Sequence, residues 1–167
     1  YLQRYISPNK KRALLLEKYK EYPAMEKYHH IWPRLKIISC WRDGSSHDHS
    51  LFLERLFPKV FIQGKGLIAT EGIISFPLIQ AEGPVLAFNS HFLEFLPGDS
   101  EDTLLADQLE TGKTYKVILM TGGGLYRYNL NDNIRVCSTY KSIPVVRFIE
   151  RKNVSDQVGE KLHAGHV

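Results

Sequence analysis

The sequence has few cysteines, no long apolar run and no dense cluster of basic residues. Two cysteines, Cys40 and Cys137, are too few for a disulfide framework, which favours a reducing cytoplasmic setting. No apolar stretch approaches the ~20 residues that a membrane-spanning helix needs. The net charge of +4 is spread over scattered basic residues, whereas a nucleic-acid-binding protein concentrates them. We therefore expect a soluble cytoplasmic protein with no nucleic-acid partner and no membrane partner.

The length of 167 residues is sufficient for one domain with a buried core. The chain begins at Tyr1 rather than Met, and its last residues, from Gly159 to Val167, are typical of the start of an element. We therefore expect the sequence to be an interior piece of a longer protein, which the intact mass would test.

The first third of the chain predicts alternating helices and strands. Helix formers run from Asn9 to Tyr22, and a second helix is predicted over Ser50–Phe57. Apolar runs over Leu35–Trp41 and Lys59–Ile62 predict buried strands on either side of the second helix. This strand–helix–strand order is typical of a parallel crossover unit.

Beyond Gly72 the pattern changes to short strands separated by glycine, proline, asparagine and aspartate. A short helix is predicted over Thr103–Leu109. The predicted strands are Ile73–Phe76, Val85–Phe88, Phe92–Leu96, Tyr115–Met120, Leu125–Tyr128, Ile134–Ser138 and Val145–Glu150. The sequence thus predicts an α/β fold with an antiparallel β portion, which is either a sheet or a small barrel.

Residues Gly64–Ala69 match the pattern G-x-G-x-x-A of dinucleotide-binding folds. That pattern requires a following helix, but the residues from Ile73 to Pro77 are β-branched, aromatic and ended by proline, so we exclude a dinucleotide site. The hydroxyl and carboxylate of Thr70 and Glu71 suit a phosphate oxygen and a Mg²⁺ ion. The alternative is a turn at a strand end with an exposed glutamate.

A second glycine-rich segment, Thr121–Gly124, has neither the lysine nor the helix of a phosphate-binding loop, so it predicts a hairpin turn. The Tyr/Arg-alternating segment Leu125–Tyr128 leads from it to Asp132, which we expect at the end of a strand. There the carboxylate either accepts the hydroxyls of a ribose or caps a turn.

Histidines occur in the pairs His29–His30 and His47–His49 and again near the end of the chain. None of these groups has the number or spacing of ligands that a zinc site requires. We expect them to be polar surface residues.

Taken together, two segments resemble motifs of the auxin-responsive-promoter-family acyl-acid amido synthetases, which are adenylate-forming enzymes. Leu67–Gly72 is similar to their second nucleotide motif, Tyr-x-Ser-Ser-Glu-Gly. Gly124–Asp132 is similar to the third, Leu-Tyr-Arg-Tyr-x-x-Gly-Asp, and His91–Pro97 between them matches Tyr-Phe-Glu-Phe-Leu-Pro. Pro144–Asn153 resembles the approach to the hinge between the family's domains. The resemblance begins near Trp32 and continues to the end of the chain.

The resemblance implies that residues 1–154 form the C-terminal half of the large N-terminal adenylation domain. Residues 155–167 would then be the hinge and the start of the C-terminal domain. It also implies a reaction in which a carboxylic acid attacks Mg·ATP to give an acyl-adenylate, which an amine or amino acid then attacks. Catalysis of such a transfer is mainly positioning and charge neutralisation.

The same resemblance assigns roles to particular residues. Thr70 would contact phosphate, and Glu71 would hold Mg²⁺, so these two are the predicted catalytic residues. Asp132 would bind the ribose hydroxyls, and Arg151 would contact the nucleotide near the hinge. The remaining predicted nucleotide-binding residues are Gly66, Leu67 and Ala69.

The sequence departs from the family motifs at Leu67, Ala69 and Asn131, where the family has Tyr, Ser and Gly. These departures favour a bacterial- or animal-type branch. The family's first nucleotide motif and its C-terminal domain are missing from this sequence, so we predict that the chain alone is inactive. The alternatives are an acyl-CoA ligase of the same superfamily, a non-catalytic homologue that serves as a binding module, and an unrelated β-rich binding protein.

Overall fold

The structure, a computed structural model, describes residues 7–98, 100–151, 154–157 and 160–163, the last two ranges by their backbone alone. It divides the chain into two compact units. Unit 1 contains the described residues up to Ile38 together with Leu51–Ile62, and unit 2 contains Ser39–Ser50 and the described residues from Gln63 onward. Within these ranges no helix combines the length and apolar character needed to cross a membrane.

Three helices belong to the first part of the chain: α1 Lys10–Lys18, α2 Ala24–Ile31 and α3 His47–Leu56. The Asn9 side chain caps α1, since its Oδ1 accepts a hydrogen bond from the backbone N–H of Arg12 at 2.9 Å. The predicted helix from Asn9 to Tyr22 extends four residues beyond the end of α1 at Lys18. Pro23 does not merely stop that helix, because it is the N-cap of α2, which the sequence analysis missed.

Two short strands pair with each other, β1 Ile37–Cys40 and β2 Phe61–Gly64. In the chain, β1 precedes α3 and β2 follows it. The backbone N–H of Phe61 donates to the carbonyl of Lys36 at 2.9 Å, and that of Lys65 donates to the carbonyl of Cys40 at 3.1 Å. Both partners advance along the chain in the same direction, so the pair is parallel. The predicted strand–helix–strand order is confirmed, with α3 starting three residues before the predicted helix. The prediction that both strands are buried was wrong, because β1 has only exposed and half-buried residues and only Ile62 of β2 is buried.

Unit 2 contains an open six-stranded antiparallel sheet with the order β3-β4-β8-β7-β6-β5. Its strands are β3 Ser75–Pro77, β4 Pro84–Leu86, β5 Phe92–Pro97, β6 Thr114–Met120, β7 Tyr128–Tyr140 and β8 Ile143–Arg151. A separate antiparallel pair follows, β9 Val154–Gln157 and β10 Glu160–His163. The antiparallel portion is therefore confirmed, and it is a sheet rather than a barrel.

Two local predictions in this unit were wrong. Residues 125–127 belong to the turn between β6 and β7, so only the last residue of the predicted strand Leu125–Tyr128 is in a strand. The predicted helix Thr103–Leu109 is a single 3₁₀ turn at Ala106–Gln108. The turn predicted at Thr121–Gly124 is confirmed, with the Gly124 N–H donating to the carbonyl of Thr121 at 3.1 Å.

The core of unit 2 consists of apolar side chains that alternate along the sheet strands. Its members are Leu67, Ile74, Leu86, Leu93, Phe95, Tyr115, Val117, Leu119, Leu130, Ile134, Val136 and Val146. Two of the sheet's irregularities lie near the start of β7 and the end of β8. Ile149 is an extra residue on β8, and three residues of β7 (130–132) stand opposite one residue of β6. Bulges of this kind redirect side chains, and both adjoin the site described below.

Candidate functional site

A cavity of about 460 Å³ lies within unit 2, beside the end of β8. It is formed by three parts of the chain: the segment after β1, the segment after β2, and the bulged ends of β7 and β8. The lining residues are Trp41, Arg42, Asp43, Ser45, Ser46, Gly66, Leu67, Ile68, Ala69, Asp132, Phe148, Ile149, Glu150 and Arg151. Five of the seven predicted site residues are among them.

Gly66 occupies a position that only glycine fits. Its φ is +78°, and a Cβ atom there would lie 2.6 Å from the carbonyl oxygen of Ser75. The next residue, Leu67, donates its backbone N–H to the Ser75 hydroxyl at 2.8 Å, and its side chain is buried in the core. These contacts fix the path of the backbone along the cavity wall.

Thr70 and Glu71 occupy the two central positions of a tight hairpin turn. The backbone groups of Ala69 and Gly72 exchange hydrogen bonds of 3.0 and 3.3 Å, and Ile68 faces Ile73 across the hairpin. Neither Thr70 nor Glu71 lines the cavity, because the chain reverses immediately after Ala69. The cavity therefore contains Asp132 but not these two side chains. The two residues lie in a turn, as the alternative expected, but Glu71 is half-buried rather than exposed.

The carboxylate of Asp132 is buried, with 1% of the residue exposed, and it is paired with Arg151. Arg151 Nε donates to Oδ1 at 2.6 Å, and Nη2 donates to Oδ2 at 3.0 Å. The two residues face each other in the register between β7 and β8. A bidentate pair of this kind fixes both the charge and the orientation of the carboxylate. The two predicted nucleotide-binding residues are thus brought together.

The expectation that Asp132 ends a strand was wrong, because it lies inside β7. Asn131 before it has a φ of +59°, a left-handed conformation, and its N–H donates to Asn129 Oδ1 at 2.8 Å. Glycine adopts this conformation at no cost, and asparagine tolerates it better than most residues do. The departure from the family motif at Asn131 thus preserves the backbone geometry.

Trp41 and Asp43 line the cavity but were not predicted as site residues. Burial raises the pKa of the Asp43 carboxyl above its usual range, although Arg147 and the N–H of Phe148 act in the opposite direction. The sequence showed Asp43 only as part of a turn and Trp41 only as the end of a buried strand. Their sole signal was their place directly after a strand, where binding residues are common.

Glu71 is the carboxylate that the sequence predicts as a Mg²⁺ ligand. No group of three or more His, Cys, Asp or Glu side chains that could hold a metal exists among the residues the structure describes. Magnesium is commonly held by one or two carboxylates together with the phosphates of its substrate. A single glutamate at the hairpin tip is compatible with that mode and incompatible with an all-protein metal site.

Residues 84–151 match the family model described as "GH3 family central domain". The chain is 39% identical over 137 residues to "Indole-3-acetic acid-amido synthetase GH3.4" of Arabidopsis thaliana, covering 74% of the chain and 23% of that protein. These matches support membership of the chain in the GH3 family. The matched residues 84–151 include β4 to β8, and so Asp132 and Arg151.

Further relatives agree with the GH3 assignment. "4-substituted benzoates-glutamate ligase GH3.12" of Arabidopsis thaliana is 28% identical over 144 residues, which is 78% of the chain and 25% of that protein. The solved structure "AtGH3.15 acyl acid amido synthetase in complex with 2,4-DB" superposes with a TM-score of 0.76 at 21% identity. It covers 94% of this chain and 29% of that one, and it shows the fold. The chain spans no more than 30% of the length of the curated relatives it matches.

Proposed function

We propose that this chain is the nucleotide-binding part of an ATP-dependent acyl-acid amido synthetase. The intact protein would activate a carboxylic acid as its acyl-adenylate and transfer the acyl group to an amine or amino acid. The names of two relatives, an indole-3-acetic acid-amido synthetase and a benzoates–glutamate ligase, support amide formation. We place residues 1–154 in the adenylation domain and residues 155–167 at the hinge, and the departures at Leu67, Ala69 and Asn131 favour a bacterial- or animal-type branch.

One observation carries the proposal. Residues 66–69 and Asp132 are far apart in sequence, belong to two different motifs, and line the same cavity. Its volume of about 460 Å³ lies in the range of ~300–1,000 Å³ that is usual for small-molecule sites. Half of its lining residues are charged or carry hydroxyls, among them Asp43, Glu150 and Arg151, and the other half are apolar or glycine. A polar, sugar-bearing ligand suits such a lining.

The Asp132–Arg151 pair suits recognition of ribose. A carboxylate offers roughly four lone-pair positions, and the two hydrogen bonds from Arg151 use two of them. The remaining two can accept the 2′- and 3′-hydroxyls of a nucleotide. Because Arg151 holds the carboxylate in place, little entropy is lost when the ribose binds.

Thr70 and Glu71 would act on the phosphates. They directly follow the lining residue Ala69 and form the tip of a hairpin just outside the cavity. This position suits a nucleotide whose phosphates extend out of the cavity. Mg²⁺, if bound by Glu71 and the phosphates, would neutralise the negative charge that opposes attack by a carboxylate. Cys40 and Cys137 are free thiols, in keeping with the reducing cytoplasm that we propose as the location.

The test is ATP–pyrophosphate exchange. The intact protein should exchange labelled pyrophosphate into ATP only when a suitable carboxylic acid is present, and Asp132→Asn should lower the exchange. The isolated 167-residue chain should give none above background. Release of AMP that depends on a thiol instead of an amine would favour the acyl-CoA ligase. Failure of the intact protein to bind ATP would favour the non-catalytic binding module.

A further inference from the structure

We propose that Trp41 provides the stacking surface for the base of the nucleotide, in place of the tyrosine that Leu67 replaces. This inference rests on the proposed function, because it names the residue that recognises the base within the same cavity. Trp41 belongs to the segment after β1, outside both of the motifs that the sequence comparison identified. The base would thus be recognised from a different wall of the cavity.

Leu67 cannot perform this role in the observed structure. Its side chain is 7% exposed and packs in the core of unit 2 with residues such as Ile74. Although Leu67 lines the cavity, it offers a base little accessible surface, and its aliphatic side chain has no ring to stack on.

Trp41 has the exposure that stacking requires. It is 47% exposed and is the exposed aromatic residue of the cavity lining, whereas the other lining aromatic, Phe148, is partly buried against the core. Ile68 and Ile149 are the other lining side chains with large exposed apolar surface, at 42% and 40%. An indole with aliphatic neighbours forms a wall that accepts a flat, weakly polar ring.

Lys65 adds a second favourable feature. Its Nζ lies over the Trp41 ring, 5.9 Å from the centroid. One ammonium group covers one face of the indole, so the opposite face is the one that a base would use. Tryptophan gives the strongest cation–π contacts of the aromatic residues.

The experiment compares Trp41 with Trp32, the other tryptophan of the sequence, which is equally exposed at 47% but lies in unit 1. Trp41→Ala, Trp41→Phe and Trp32→Ala are made in the intact protein, and binding of Mg·ATP and of ribose 5-phosphate is measured by calorimetry. Trp41→Ala should weaken ATP binding by about 5- to 150-fold, the usual effect of removing a base–aromatic stack. Trp41→Phe should bind ATP almost normally.

The controls separate stacking from general damage. Ribose 5-phosphate lacks a base, so its affinity should be the same in all variants, and Trp32→Ala should bind ATP like the unmodified protein. Equal ATP affinity in Trp41→Ala and the unmodified protein would overturn the inference and leave the proposed function standing. Absence of ATP binding by the unmodified protein would overturn both.

Discussion

Replacement of Arg151 by alanine should destabilise the protein far more than the loss of an ordinary ion pair. Asp132 is 1% exposed, and the side chain of Arg151 is 26% exposed. Without Arg151, this buried carboxylate loses its ion-pair partner and two short hydrogen bonds. Removal of one partner from a buried pair costs about 3–5 kcal/mol.

Lys113→Ala is the matched control. The Lys113–Glu110 pair has a similar distance, 2.7 Å, but its side chains are 58% and 63% exposed. Exposed pairs contribute about 0–1 kcal/mol, because water and salt replace them readily. The two variants thus remove ion pairs of nearly equal length that differ in burial.

Urea denaturation at neutral pH measures both effects. Arg151→Ala should lower the free energy of unfolding by about 3–5 kcal/mol, and Lys113→Ala should lower it far less, because its pair is exposed to water. Asp132→Asn added to Arg151→Ala should recover part of the loss, since it removes the isolated charge. Equal losses for the two single variants, or no recovery in the double variant, would refute the reasoning that burial gives the Asp132 pair its strength.

Three smaller effects are expected. Gly66→Ala should lower the free energy of unfolding in urea clearly more than Gly112→Ala does. Both glycines have a positive φ, but only at position 66 would the added Cβ lie 2.6 Å from the Ser75 carbonyl oxygen. Equal losses would contradict this. Asn131→Gly should be nearly neutral, whereas Asn131→Val should cost about 1–2 kcal/mol or more for its left-handed backbone; equal stability of the two would contradict this. Asp43→Asn should raise the melting temperature at pH 7, because burial makes the ionised Asp43 carboxylate unfavourable in the folded protein and raises its pKa. The advantage should disappear as the pH falls to about 3.8, where the carboxyl becomes protonated in both the folded and the unfolded chain. A constant difference across this pH range would contradict this.

The antiparallel sheet could be predicted because its signals are local. Turn residues separate short apolar segments, and alternation along β6 and β7 puts residues such as Val117 and Ile134 in the core. The parallel β1–β2 pair was predictable for the same reason. The observed ends of some elements differ from the predicted ends by a few residues. One cause is a capping residue such as Pro23, which starts α2.

The position of Asp132 was less predictable because it depends on distant partners. Its burial and pairing follow from the register between β7 and β8 and from the irregular stretch of β7 at residues 130–132. Neither feature has a signature in the local sequence, which suggested only that a strand would end there. Asn131 was read as a departure from a motif, although its left-handed backbone makes it a suitable replacement for glycine.

Two further features of the site could not be read from the pattern. The apolar run Leu35–Trp41 predicted a buried strand, whereas the strand is Ile37–Cys40 and none of its residues is buried. Trp41 follows the strand and lines the cavity, which the run could not show. The motif containing Thr70 and Glu71 suggested residues inside the site, whereas the two-residue turn places them at a hairpin tip. Their roles toward phosphate and Mg²⁺ stay predictions.

The most direct measurement is a crystal structure of the intact protein with bound AMP. AMP should occupy the cavity between residues 66–69 and the β7–β8 pair, with its ribose hydroxyls within hydrogen-bonding distance of the Asp132 carboxylate. AMP bound at another surface, with Asp132 contacted only by Arg151, would contradict the assignment of this cavity.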